Sequence, residues 1–182
     1  MRTLKEGVAY TSDVVHKCPG QLLTQANGDI DTSGNYAQYD YLHSGLIVFP
    51  DVFLDEMDSE TQLLYVGGYE KDSTLFKPDF TLYLFNTCDI VPVKNNAFTF
   101  SANTGIEKVE SVQDIISANW KSVYSAGSAV RAYLKQAITV PDILTQAPGN
   151  RDLYGIAVFN NAVGGKFQTS SELRLWLGVK YS

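Results

Sequence analysis

Several groups of residues in this sequence have types and spacings that chemistry can use. Asp29-Ile30-Asp31-Thr32-Ser33-Gly34-Asn35, followed by Asp40, puts oxygen side chains at the first, third and fifth places of a loop. Glycine follows at the sixth and a carboxylate at the twelfth, a partial calcium-loop pattern. The last ligand is Asp rather than a bidentate Glu, and no amphipathic helix flanks the loop. Turn chemistry is therefore the first reading of Asp29, Asp31, Ser33 and Asp40, and calcium the second. Asp51, Asp55, Glu56, Asp58 and Glu60 form an acidic cluster that offers paired carboxylates for glycoside hydrolysis. Such a charge run between strands reads first as a solvated loop, because no aromatic-lined cleft accompanies it. His16 and His43 are the histidines, and neither sits in a nucleophile motif. Cys18 and Cys88 are too far apart in sequence for zinc or redox spacing; two isolated thiols is the reading, with a disulfide left open. No glycine-rich loop opens a helix to cradle phosphate. The expectation is a chain without catalytic residues, resident metal or cofactor.

Aromatic residues offer a different chemistry. Tyr36, Tyr39 and Tyr41 alternate along an extended segment, where exposed rings would stack on sugars and buried rings would be ordinary strand packing; burial is the preferred reading. Phe76, Phe98 and Phe100 lie in aromatic loop segments with few acids or bases nearby, and are candidates for an interface between copies of the chain.

The elements that position these residues are read as strands. The 182 residues, 45% hydrophobic and 19% charged, suit one domain with a real core. Eleven Tyr, nine Phe and fourteen Gly favour strands and tight turns. Residues 44–49, 61–69, 80–86, 120–124 and 129–140 read as strands, and Gly67-Gly68 inside an apolar run marks a bulge or a close backbone approach. Residues 152–160 and 171–181 read as a terminal β-hairpin. In its second arm Leu173, Leu175, Leu177 and Val179 face inward, while Glu172, Arg174, Trp176 and Lys180 face outward. Ser111-Val112-Gln113-Asp114 has capping-box spacing and predicts a short helix over 111–118, with a turn as the competing form. Residues 1–34, rich in small polar types, read as an N-terminal arm or extended loops. Residues 35–182 read as an antiparallel β-sandwich of jelly-roll character, giving an all-β chain with at most one short helix.

The formal charge of −6 predicts no extended basic surface and hence no direct nucleic-acid partner. The N-terminus has no signal-peptide core and no run is long enough to span a bilayer, so the expectation is a protein made in a cytoplasm without a membrane partner.

The order of segments carries a resemblance. Residues 35–52 (NYAQYDYLHSGLIVFPDV), 61–69, 80–89 (FTLYLFNTCD), 96–98 (NAF), 111–116, Trp120, 153–160 and 173–178 follow one another as in a widespread family of small tailed-bacteriophage virion proteins. These are usually described as phage structural or capsid-decoration proteins. Family members carry a GGL-apolar-F strand, an L-x-L-F-D-x-D-P strand, a DNAAF loop, a one-turn helix, a D-W pair and a closing LYGVLV to L-x-L-x-LG pair of strands. Here His43-Ser44-Gly45 replaces the double glycine, Asn86-Thr87-Cys88-Asp89 replaces the acidic DxDP, and Asn119 stands before Trp120, which weakens any inference of a shared ion site. The resemblance implies a non-enzymatic virion protein on the capsid surface that binds the major capsid protein and associates with itself as a homo-oligomer, a trimer among the forms considered. The alternative is a glycan- or receptor-binding module of a phage head or tail fibre.

Overall fold

A computed structural model describes residues 2–5, 8–10, 15–54, 60–71, 76–99, 106–125, 128–161, 165–167 and 171–181. The described chain is all-β. Strands are β1 (Arg2–Lys5), β2 (Val8–Tyr10), β3 (His16–Thr24), β4 (Ile47–Phe49), β5 (Thr61–Lys71), β6 (Phe80–Phe85), β7 (Val109–Ile115), β8 (Trp120–Ser125), β9 (Ser128–Leu144), β10 (Leu153–Phe159) and β11 (Glu172–Tyr181), with 3-10 turns at Ile106–Lys108 and Ser117–Asn119. β1 and β2 pair as a two-stranded ribbon, while the rest form a four-stranded sheet ordered β4-β10-β6-β7 and a five-stranded sheet ordered β3-β11-β5-β9-β8, all antiparallel. The two sheets pack as a β-sandwich.

Period-two alternation builds the core. Leu82, Leu84, Ala157 and Phe159 from the smaller sheet meet Leu63, Val66, Leu134, Leu173, Leu175, Leu177 and Val179 from the larger one, all essentially closed to solvent. Leu173, Leu175, Leu177 and Val179 of β11 face inward and Glu172, Arg174 and Lys180 outward as the alternation predicts, while Trp176, on the outward side, is only 4% exposed, because Lys17 covers its ring. Gly68 lies where a Cβ would press on Leu175 and the Arg174 carbonyl, so the paired glycine marks a close approach of β5 and β11.

Three sequence expectations are corrected. The two closing strands are not a hairpin: β10 runs between β4 and β6, and β11 runs between β3 and β5 in the opposite sheet. Both edges of each strand are already occupied by other strands, which leaves no edge on which the two could pair. Residues 111–115 are strand β7 rather than helix, and only the 3-10 turn at Ser117–Asn119 follows them. Ser111 and Gln113 point inward from β7, and Gln113 Nε2 donates to Asp142 Oδ2 and to Ser111 Oγ, each at 2.8 Å, so polar side chains stand where strand alternation would place apolar ones. Ser111 Oγ also donates to Asp142, tying β7 to β9 across the rim between the sheets. Finally, 1–34 is not an arm throughout. From His16 the chain is strand β3, paired with β11 from Glu172↔Thr24 to Val179↔His16, and Cys18, Leu23 and Ile30 are buried in the main core. Among the described residues no helix is long and apolar enough to cross a membrane.

Candidate functional site

The calcium-loop residues do not converge. Asp31 Oδ1 accepts from the Ser33 N–H (2.8 Å) and from the Ser33 hydroxyl (2.7 Å), and its other oxygen accepts from Asn95 Nδ2. The Ser33 N–H, the largest cause, and the Ser33 hydroxyl, helped by the Lys94 charge and the Gly34 N–H, hold the Asp31 carboxyl below the usual aspartate range. Asp29 Oδ2 accepts from the Thr24 N–H at 3.0 Å and Asp40 Oδ2 from the Ala37 N–H at 2.7 Å. Each carboxylate closes its own turn, and no group of three or more His, Cys, Asp or Glu among the described residues is arranged to hold a metal. In the acidic cluster, Asp51 pairs with Arg151 at 3.0 Å, while 55–59 lie outside the described residues. Cys18, buried, and Cys88, half-buried, are not joined in a disulfide.

The three tyrosines do not form a platform. Tyr36 is sealed in the main core, its hydroxyl accepting from the Asp31 N–H at 2.7 Å, and burial drives its pKa upward. Tyr41 is buried in a separate cluster, and only Tyr39, at φ 72°, faces solvent with 58% exposure. Phe98 stacks on Tyr83 (centroids 5.0 Å apart) and meets Tyr41 edge-on (5.4 Å). Phe76 packs against Phe159 and Phe167. Both rings are half-buried packing elements, and Phe100 lies outside the described residues.

His43 has structural work. It is fully buried, and its Nε2 accepts the Ala157 N–H at 3.0 Å, at the bend where residues 42–45 leave β10. The ring thereby completes a backbone bond that a strand neighbour would otherwise supply. Burial, the dominant cause, holds its pKa down at about 4, so the ring is neutral.

The two outer faces of the sandwich differ. That of the four-stranded sheet is covered by the chain itself: Tyr41, Leu46, Cys88, Ile90 and Phe98 pack on Tyr83, Phe85, Tyr154, Ile156 and Val158 as a second apolar cluster. The covering loops are pinned by backbone bonds, among them Tyr39 N–H to the Phe159 carbonyl (2.7 Å), Phe98 N–H to the Tyr39 carbonyl (2.7 Å) and Gly45 N–H to the Pro92 carbonyl (3.0 Å). Their solvent side displays Tyr39, Val91 at 78% exposure and Val93 at 47%.

The outer face of the five-stranded sheet carries no such layer of described residues. In the β5–β11 ladder Trp176 stands opposite Gly67, and Gly178 opposite Tyr65. A Cβ on Gly67 would collide with the Trp176 indole, and one on Gly178 with the Tyr65 ring, so each aromatic lies flat across a glycine. A lysine covers each ring: Lys17 Nζ is 3.8 Å from the Trp176 centroid, and Lys135 Nζ is 5.0 Å from that of Tyr65. Beside them is a groove of about 410 Å³ lined by Lys17, Pro19, Tyr69, Val123, Tyr133, Arg174 and Trp176. Tyr133 meets Trp176 with centroids 5.6 Å apart and is 42% exposed, and Arg174 Nε donates to the Gly20 carbonyl at 3.1 Å. Strand register also turns Lys71, Lys121 and Lys180 outward on this face, with Glu172 in an ion pair with Lys71 at 3.0 Å. The net charge of −6 thus conceals a cationic face, contrary to the expectation from composition. The outward set on β11 was legible in the sequence. The groove's other walls come from β3, β5, β8 and β9, whose juxtaposition no local spacing announces. The one local sign is the alternation of aromatic and glycine in Tyr65-x-Gly67-x-Tyr69 and Trp176-x-Gly178.

Comparison of the chain with protein-family models, with curated proteins and with solved structures returns no match.

Proposed function

We propose that this protein is a non-enzymatic structural component of a tailed-phage virion, a decoration protein of jelly-roll character seated on the major capsid protein. The order of segments resembling phage virion proteins supports this reading. The observation that carries it is the loop layer over the four-stranded sheet, where Tyr39, Val91 and Val93 are held to solvent by loops already fixed through backbone hydrogen bonds. Exposed apolar side chains on a preorganised surface suit docking, because little ordering entropy remains to be lost on binding. The acids of the calcium-like loop, together with Glu110, Asp114 and Asp142, accept hydrogen bonds that close turns and join strands, a use that suits a scaffold. Repeated over a symmetric shell, such interfaces hold by avidity even when each is modest, and neighbouring copies meet as a homo-oligomer.

The test is addition of the purified protein to shells that lack it, followed by sedimentation and quantitation. The expected result is saturation on the order of hundreds of copies per particle, as shell symmetry dictates. Val91→Asp should lower occupancy while leaving the melting temperature unchanged. Saturation at a few copies, or no co-sedimentation, would refute shell decoration; the former would favour the alternative, a receptor- or glycan-binding module of a head or tail fibre.

A further inference from the structure

We infer that the groove beside Trp176, on the face opposite the loop layer, is a binding site for a short carboxylated saccharide. Gly67 and Gly178 let Trp176 and Tyr65 lie flat, which lowers the centre of the sheet surface. Tyr133 and Val123 then rise on one side and Lys17 and Pro19 on the other, leaving a hollow of about 410 Å³. That volume falls within the roughly 300–1,000 Å³ usual for small-ligand sites.

The lining chemistry selects the ligand. Lys17 and Arg174 can only donate hydrogen bonds, the tyrosine hydroxyls can do either, Trp176 lies with its Nε1 against Gly67, and no carboxylate or side-chain amide is among the described residues that form the walls. A neutral sugar presents many hydroxyl donors and would find few acceptors here. A ligand rich in acceptors and negatively charged fits better. The Gly20 carbonyl anchors Arg174 through Nε, leaving the terminal amino groups as a fork of the kind that pairs with a carboxylate in two parallel bonds. Tyr133, partly exposed, offers a ring on which the apolar face of a pyranose can lie.

The same observations disfavour a single-stranded nucleic acid, which needs a long cationic track and open ring faces for successive bases. Here the two flat rings are each covered by a lysine, and the hollow is a discrete pocket rather than a track. The inference does not rest on shell docking, which uses the other side of the sandwich.

The experiment is titration of the full chain, followed by calorimetry and tryptophan fluorescence, with three probes. They are a tetrasaccharide of alternating glucuronate and N-acetylglucosamine, the neutral tetramer of N-acetylglucosamine, and a short oligothymidylate. The expected result is binding of the glucuronate probe that weakens with salt, while the neutral probe binds at least about tenfold less tightly, or about 1.4 kcal/mol. Arg174→Gln should cause a similar loss, with an unchanged melting temperature. Arg174→Lys, which keeps the charge but not the fork, should recover only part of the affinity. Equal binding of the neutral probe, tighter binding of the oligothymidylate, wild-type affinity in a folded Arg174→Gln variant, or no binding of any probe would each overturn the inference. None of these outcomes requires a capsid, so failure here and failure of shell decoration are read separately.

Discussion

His43 should make the stability of this protein fall as the solution is acidified, through a range where ordinary carboxylates are still ionised. The ring is fully buried, and its pKa lies near 4 against 6.5 for a free side chain. Because the folded value is the lower one, the unfolded chain takes up a proton first as pH drops below 6.5, and stability is lost from there until the folded protein also protonates near 4. A gap of two to three pH units corresponds to about 3 kcal/mol over that window. The structural reason is specific: a protonated Nε2 can no longer accept the Ala157 N–H, so the charge and the lost bond fall at the same place. Asp31, held below the usual aspartate range, titrates beneath most of this window. Denaturant unfolding at intervals from neutral pH to pH 4.5 should show a falling midpoint in the wild type and a distinctly flatter profile in His43→Gln, whose amide oxygen can still accept from Ala157. A variant that keeps the full wild-type slope would mean that another group carries the dependence, and the assignment to His43 would be wrong.

Strand β3 should be integral to folding: Leu23→Ala removes a side chain 1% exposed and should cost about 2–5 kcal/mol in urea unfolding, whereas a cost near zero would restore the arm reading of this segment. Gly67→Val puts a branched side chain where the Trp176 indole lies, and should cost about 1–3 kcal/mol by overpacking. In a Trp120→Phe background the same change should shift tryptophan emission to the red as the indole lifts from the sheet, and unchanged emission would show that the ring does not rest on Gly67.

Most of the sandwich was legible because its strands keep period two between strong stops: β5, β6, β9 and β10 alternate or run apolar between glycine, proline and polar clusters. Where the reading failed, the missing information was non-local. β3 has the sequence HKCPGQLLT, whose proline and glycine look like a loop. It is a strand because Pro19 falls at a register irregularity on an edge, where a missing N–H is tolerated. Ser111 and Asp114 have the spacing of a helix cap, and nothing local shows that Ser111 and Gln113 belong to a strand, where polar residues usually face water. Here they face inward, and the acceptor that satisfies them, Asp142, comes from β9, far along the chain. The closing hairpin failed for a related reason: adjacency in sequence does not say which strand edges are already filled.

The candidate surfaces follow the same division. That Trp176 points away from the core could be read from the alternation of β11 alone. That it meets Lys17, Tyr133 and a bare glycine could not, because those partners arrive from β3, β9 and β5 by sheet pairing. The charge of this face was hidden by averaging: the chain is acidic overall, yet in-and-out alternation collects Lys17, Lys121, Lys135, Arg174 and Lys180 on one side of one sheet. The carboxylates of Asp29, Asp31 and Asp40 meanwhile are taken up in closing loop turns. Composition reports only the sum of these charges, whereas binding responds to their arrangement. An anionic ligand approaching the five-stranded sheet meets a positive field although the molecule as a whole repels it, so association there should be strongest at low salt and should weaken as screening erases the difference between the faces.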